Sequence, residues 1–484
     1  MILRRAGLLA FAFATLTTSG CARSSERTDA SASGASDDVV SVPLDAPRTD
    51  AGLAGHMPPT LDVDGDGWGD LIVGAPFAGR NGRVYVYRGS PGGIATVPST
   101  TIDGPDSGLF GDTVAVAGDV NGDGYDDVIV GAQAVDNASG RAYLFFGGAN
   151  GLATTPSITL IDPTLASGML DQFGWRVVGA GDVDADGYDD LLVTAVGGDG
   201  TAYVYRGGPG GPSAEPSTTL PGRDGHDSYF GVAAAAAGDV NRDGYADIIV
   251  GAHGASGGRG RAYVYRGSAA GIDTTPRLLD GPGGHYGAEV AAAGDVNHDG
   301  YADVVVGAES AQRAYVHLGG PDGVETSPAT TLAAPTGGGV FGRALASGDV
   351  NGDGYDDVLV GDDQVNRATG SVYLYLGGPT GLDPMPVSSL RGPDGDGGWF
   401  GNQVASLGDV DRDGFADIAV GGWYAAEQHG RAYVHHGGPD GLVTVPAASL
   451  SDPADYPVHF GAGVASRDRA PASGPPPSTT RTAT

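Results

Sequence analysis

The sequence has no lysine; all 26 basic side chains are arginine, a bias to which we attach no function. It has one cysteine, Cys21, so no intramolecular disulfide can form. After the N-terminal stretch no segment reaches the ~18 consecutive apolar residues that a membrane-spanning helix needs. Two catalytic signatures are missing too: there is no H-E-x-x-H, and no thiol beyond Cys21. The ten histidines are scattered, and the adjacent pair His435-His436 sits in an alternating stretch that sends the two rings to opposite faces. Positive charge is scarce as well. A net charge of -33 excludes the phosphate-neutralising surface that nucleic-acid binding requires. No enzyme and no nucleic-acid partner are expected.

What is abundant is glycine, 87 residues, and one acidic loop written seven times. Its second copy runs Asp119-Val120-Asn121-Gly122-Asp123-Gly124-Tyr125-Asp126-Asp127. Oxygen-bearing side chains occupy loop positions 1, 3, 5 and 9. They are Asp62, Asp64, Asp66 and Asp70 in the first copy, then Asp119, Asn121, Asp123 and Asp127. The third and fourth copies have Asp182, Asp184, Asp186 and Asp190, then Asp239, Asn241, Asp243 and Asp247. The fifth and sixth have Asp295, Asn297, Asp299 and Asp303, then Asp349, Asn351, Asp353 and Asp357. The seventh has Asp409, Asp411, Asp413 and Asp417. Alternate residues turn inward, glycine at position 6 makes the sharp bend, and position 7 can offer its carbonyl, which is the spacing of a calcium loop.

An EF-hand would continue into a helix with a bidentate Glu at position 12. Here position 12 is valine in every copy, Val130 and Val250 among them, and the following residues read as a strand. The loop is therefore expected to close early on the Asp at position 9 as bidentate ligand. A plain Asp-Gly turn is the alternative for any single copy; seven copies with all four ligand positions favour Ca²⁺, up to seven ions. The loops hold 24 carboxylates at ligand positions, and seven Ca²⁺ would bring the net charge to about -19.

The N-terminus reads as a secretion signal: Arg4-Arg5, the apolar stretch Leu8 to Leu16, then Ser19-Gly20-Cys21. A sole cysteine at the cleavage site resembles the lipidated residue of a bacterial lipoprotein, although Thr18 stands where leucine is usual. Ordinary cleavage and free secretion is the alternative. Membrane attachment is expected only through such an anchor, at an outer membrane or cell surface. Residues 22–57 are rich in Ser, Ala, Asp, Thr and Pro and read as a flexible tether, up to ~100 Å long if extended. The repeats fill 58–466, and 467–484 form a low-complexity, disordered tail.

Loop starts are 54 to 63 residues apart. In the fourth repeat, Phe230-Gly231 opens a small-residue strand, Val232 to Ala237. The loop follows, then apolar Asp247–Val250, then the alternating Arg261–Gly267, then a weaker strand, Pro276–Leu279. Four short strands per repeat, seven times over, predict an all-β, seven-bladed propeller of four-stranded blades. Phe110, Phe173, Phe230, Tyr286, Phe341 and Phe400, each followed by glycine, precede six loops; the loop at Asp62 has no such pair, and Phe460-Gly461 has no loop after it. The C-terminal strand is expected to complete the first blade and close the ring. An altered chain end with a weak seam is the alternative.

Phe-Gly, then Gly-Asp-Val-Asn-Gly-Asp-Gly-Tyr-Asp-Asp, then Val-Gly-Ala resembles the FG-GAP repeat of integrin α-subunits and many bacterial surface proteins. The resemblance covers about residues 58 to 466. It implies a seven-bladed propeller with calcium in the loops between strands 1 and 2, mapped here onto all seven loops, where integrins carry it in only some blades. Gly-Ala-Pro is complete only at Gly74-Ala75-Pro76. The integrins' later domains, membrane span and inserted ligand-binding domain have no counterpart, so an integrin-like heterodimer is not implied, and a monomer is expected.

Seven equivalent sites suit structural ions better than catalysis, which needs one special site. A ligand, protein or carbohydrate, is therefore expected on the face opposite the calcium loops, where the repeats differ. Trp399, Trp423 and Tyr424 in the last full blade, and Phe77 in the next blade round the ring, are the candidate contacts. Packing between blades is the alternative role for these rings. The expected function is a calcium-binding adhesion or recognition module. An enzyme of extracellular polysaccharides would need a unique basic and acidic cluster in one blade, which the repeats do not display. A structural envelope scaffold is the third reading.

Overall fold

The computed structural model describes residues 61–164, 171–335, 339–453 and 459–465. The leader, Cys21, the tether, the tail and the outermost positions of the 58–466 span lie outside them. The described chain forms seven four-stranded antiparallel sheets, the blades of a propeller, numbered here after their loops. Blade 4 shows the pattern: Ala233–Gly238 innermost, then Asp247–Ala252, Arg261–Tyr265 and, outermost, Arg277–Asp280. Each strand ends within two residues of its expected position. No described helix is long and apolar enough to cross a membrane.

The second strand of each blade is a continuous apolar run because a neighbouring blade covers each of its faces. In blade 1, Ile72 packs with Val114 and Val128 of blade 2, whereas Leu71 and Val73 join Ala405, Ala419 and Val434 of blade 7. Alternation along the strand thus feeds two different cores. Each such side chain contributes about 1.5–3 kcal/mol on burial.

The repeated Phe-Gly and Gly-Ala pairs meet at the blade boundaries. Phe110 of blade 2 bridges Gly82 of blade 1, and Phe173, Tyr286, Phe400 and Phe460 repeat the bridge against the blade before them. At Gly74 a Cβ would run into the carbonyl of Gly111 in the next blade, so the close approach requires glycine. Blade 3 has Thr194 at the corresponding position; its hydroxyl donates to the Gly231 carbonyl across the same boundary at 2.8 Å.

The ring closes through the C-terminal strand. Gly463–Ala465 pairs antiparallel with Ile72–Gly74, so blade 1 takes its innermost strand from the other end of the chain. Phe460 bridges Gly430 of blade 7, and the Tyr85 hydroxyl donates to Asp452 at 3.0 Å. On the loop face the Arg412 guanidinium lies 3.9 Å from the centre of the Trp68 ring. The seam therefore has the contacts of the other boundaries, with a cation–π clasp added.

Candidate functional site

In blades 2 to 7 the acidic loop joins the innermost strand to the second strand; in blade 1 it leads into the second strand alone, and the Asp62 N–H donates to Asp126 of the blade 2 loop at 2.9 Å, so all seven lie on one face. Position 1 organises the loop: Asp119 accepts the N–H groups of Gly122, Asp123 and Gly124 at 2.7, 3.0 and 2.8 Å. Gly124 takes the bend with φ 89°. Three sets gather carboxylate oxygens within 4.8 Å of one another: Asp62, Asp64 and Asp66; Asp182, Asp184 and Asp190; Asp409, Asp411 and Asp413. These are hard anionic donors without a thiolate, a donor set that fits a hard divalent cation. Positions 1, 3, 5 and 9 would hold the ion, whose charge would offset their mutual repulsion.

Position 9 has a second role. Asp127 is fully buried; one oxygen accepts the Val120 N–H (3.1 Å) and the other the Gly147 N–H (2.9 Å) from the end of the third strand. The same pair of bonds recurs at Asp70, Asp190, Asp247, Asp303, Asp357 and Asp417. Burial pushes these carboxyls up, to about 7 at Asp70, Asp127, Asp190 and Asp247 and about 8 at Asp303, Asp357 and Asp417. The two N–H bonds oppose the shift and the neighbouring loop carboxylates add to it.

Position 3 divides the loops. Where it is asparagine, its amide donates to the position-5 carboxylate, as Asn121 does to Asp123 at 2.9 Å. Where it is aspartate, the residue after the third strand supplies a basic partner: Arg88 to Asp64 at 2.6 Å, Arg206 to Asp184 at 2.9 Å, His436 to Asp411 at 2.8 Å. In blades 2, 5 and 6 that residue is Phe146, Leu318 or Leu376; blade 4 has Arg266, which is exposed. The arginines of blades 1 and 3 thus return four-carboxylate loops to the net charge of three-carboxylate ones. His436 is separated from His435, which is buried and bonds the Val443 carbonyl through Nδ1 at 2.9 Å.

On the opposite face the four expected aromatics come together where blades 7 and 1 meet. Trp399 stacks on Tyr424 with centroids 5.0 Å apart and lies 5.9 Å from Trp423. His459 joins them, 4.9 Å from Tyr424, 5.3 Å from Trp423 and 4.7 Å from Phe77. The rings therefore pack between blades and also reach the surface, where Phe77 is 50% exposed. His459 was not anticipated. It precedes Phe460-Gly461 as Trp399 precedes Phe400-Gly401, and both residues adopt left-handed φ, 53° and 54°. That register was the available signal. Tyr229 and His285 hold the same position in blades 4 and 5, with His253 stacked 4.7 Å from Tyr229.

The profile of the FG-GAP-like repeat matches residues 182–250, 239–306, 295–360 and 349–420, and that of the FG-GAP repeat matches 59–87 and 110–145. Together they reach over more than half of the chain. The chain belongs to the FG-GAP repeat family. It is 34% identical to integrin alpha-7 of Rattus norvegicus over 176 residues, 35% of this chain and 15% of that one. It is 38% identical to integrin alpha-IIb of Mus musculus over 172 residues, 33% of this chain and 16% of that one. The matched region thus spans about a sixth of those relatives. Among solved structures, a protein from Lactobacillus plantarum superposes with TM-score 0.51 at 12% identity, over 82% of this chain and 99% of that one. A putative 6-phosphogluconolactonase from Bacteroides uniformis superposes with TM-score 0.50 at 12% identity, over 79% and 99%. At such identity these likenesses establish the propeller fold alone.

The FG-GAP register also locates polar residues that repeat-by-repeat reading passed over. The two residues behind each aromatic-Gly begin the innermost strand. They include Asp112, Arg176, Glu289, Arg343 and Gln403, which gather at the mouth of the central channel. A mixed basic and acidic cluster therefore exists. It was invisible as a property of one blade because five blades contribute to it.

Proposed function

We propose that this FG-GAP chain is a calcium-stabilised, exported recognition module whose protein or carbohydrate ligand docks on the aromatic rim between blades 7 and 1. The carrying observation is the convergence of Phe77, Trp399, Trp423 and Tyr424 from three separate connections, with Phe77 half exposed. Large, rigid rings supply contact area at low entropic cost and suit both sugar faces and protein anchors. Calcium in the opposite loops would hold the blades that position these rings. The leader-like N-terminus supports export, and Cys21 would carry a lipid anchor to a membrane. The high negative charge disfavours nucleic acid.

The test presents glycans and extracellular-matrix or envelope proteins to the whole chain, in calcium and in EDTA, beside Phe77→Ala and Trp399→Ala. Truncating an anchor ring is expected to weaken binding about 30-fold or more. Phe77→Ala should do so without lowering the melting temperature. Equal binding by wild type and both variants would sink the rim assignment.

A further inference from the structure

The innermost strands wall a channel along the propeller axis. Its middle is a cavity of about 220 Å³ to which small side chains such as Val116, Ala235, Ala291 and Ala405 are presented, with Asp112, Arg176, Glu289 and Gln403 also in its lining. At the end away from the acidic loops the wall becomes polar and surrounds a pocket of about 250 Å³. Asp112, Arg176, Glu289, Glu309, Arg343 and Gln403 face one another there. Such a volume is below the roughly 300–1,000 Å³ of drug-sized pockets and holds the water of about eight molecules. It suits one small ring rather than an extended chain.

The charges decide what that ring carries. Arg176 is neutralised by Glu289 across the axis at 2.8 Å. The carboxylate nearest Arg343 is Asp363, 3.8 Å away; Asp363 is 0% exposed and neither of its oxygens receives a hydrogen bond. Asp112 receives one from Gln133 at 2.7 Å, and Glu309 faces His285 at 3.6 Å. Counting Asp363 behind Arg343, acids outnumber arginines in the cluster, so a free anion is repelled. A bare metal ion is also a poor occupant: among the described residues, the side-chain groups close enough to hold one lie at the acidic loops. The matching group both donates to carboxylates and accepts from a guanidinium and an amide, which is what a hydroxyl does.

We propose that this axial mouth is a binding site, separate from the aromatic rim, for a single sugar ring of hexose size, neutral or amino. Its hydroxyls donate to Asp112 and Glu309 and accept from Arg343 and Gln403. Trp175, whose indole N–H is already given to the Val232 carbonyl at 3.0 Å, forms part of the apolar wall. Burial raises the carboxyls of Asp112 and Glu289, as expected where bound hydroxyls would replace lost water. The assignment does not rest on the rim reading.

The experiment titrates the full chain, in calcium, with glucose, glucosamine and glucuronic acid by calorimetry and NMR. Glucose and glucosamine are expected to bind at one per chain, and glucuronic acid more weakly. Arg343→Gln and Glu309→Gln, checked by melting for an intact fold, should each weaken binding about tenfold. No binding by any of the three sugars, equal affinity in both folded variants, or tightest binding of glucuronic acid would overturn the proposal. Binding abolished by Phe77→Ala would move the sugar to the rim and overturn it too.

Discussion

Replacing Arg88 by leucine removes the counter-charge of Asp64, whose side chain is only 3% exposed. Leucine is what blades 5 and 6 carry there, opposite Asn297 and Asn351. Stranding one partner of a buried pair costs about 3–5 kcal/mol. Arg88 is 37% exposed, so screening lowers the expected loss to about 1–3 kcal/mol. Asp64→Asn alone weakens the charge-assisted bond and should cost about 1 kcal/mol. The double variant rebuilds the asparagine–leucine combination and should return to within about 0.5 kcal/mol of wild type, a coupling of about 2–4 kcal/mol. Urea unfolding in EDTA measures all four proteins without a metal contribution. Arg88→Leu should also bind calcium more tightly in that loop. Additive single effects would refute charge balancing as the reason for the Asp–Arg pairing.

Calcium should raise the melting temperature. At dissociation constants of about 10⁻⁴–10⁻³ M, 10 mM ion stabilises each loop by about 1.4–2.7 kcal/mol, and seven loops melting together by about 10–20 kcal/mol. For about 400 ordered residues that is about 10–20 °C in scanning calorimetry, and a change below about 3 °C would count against the role. In EDTA, pH should act through the position-9 carboxyls, whose folded values lie above the ordinary 3.8. Their contribution is present below about pH 4 and lost as pH rises through 7 to 8, so melting in EDTA should fall from about pH 5 to 8; a rise would contradict the assignment. Phe460→Ala empties a fully buried site against Tyr85 and Tyr87 and should cost about 3–5 kcal/mol, as Phe400→Ala should; a silent Phe460→Ala would deny that the seam is closed.

The blade pattern was legible because its signals are local. Aromatic-Gly, the acidic loop and the apolar second strand recur in a fixed order, and the unmatched Asp62 loop and Phe460-Gly461 pair point to closure from the sequence alone. Contacts formed between repeats were not legible. Arg412 over Trp68 and His459 among the rim rings depend on which blades become neighbours. The axial cluster depends on folding that brings residues over two hundred positions apart to one axis. The second role of position 9 was hidden for a related reason. Its partner Gly147 lies 20 residues beyond Asp127 and offers only a backbone N–H, which no side-chain pattern records.

The most direct test of the central claim counts calcium ions on the whole chain by equilibrium dialysis and titration calorimetry, beside a variant with Asp→Asn at position 1 of every loop. The account predicts seven ions per chain and none on the variant. One ion or none on the wild type, or undiminished binding by the variant, would contradict it.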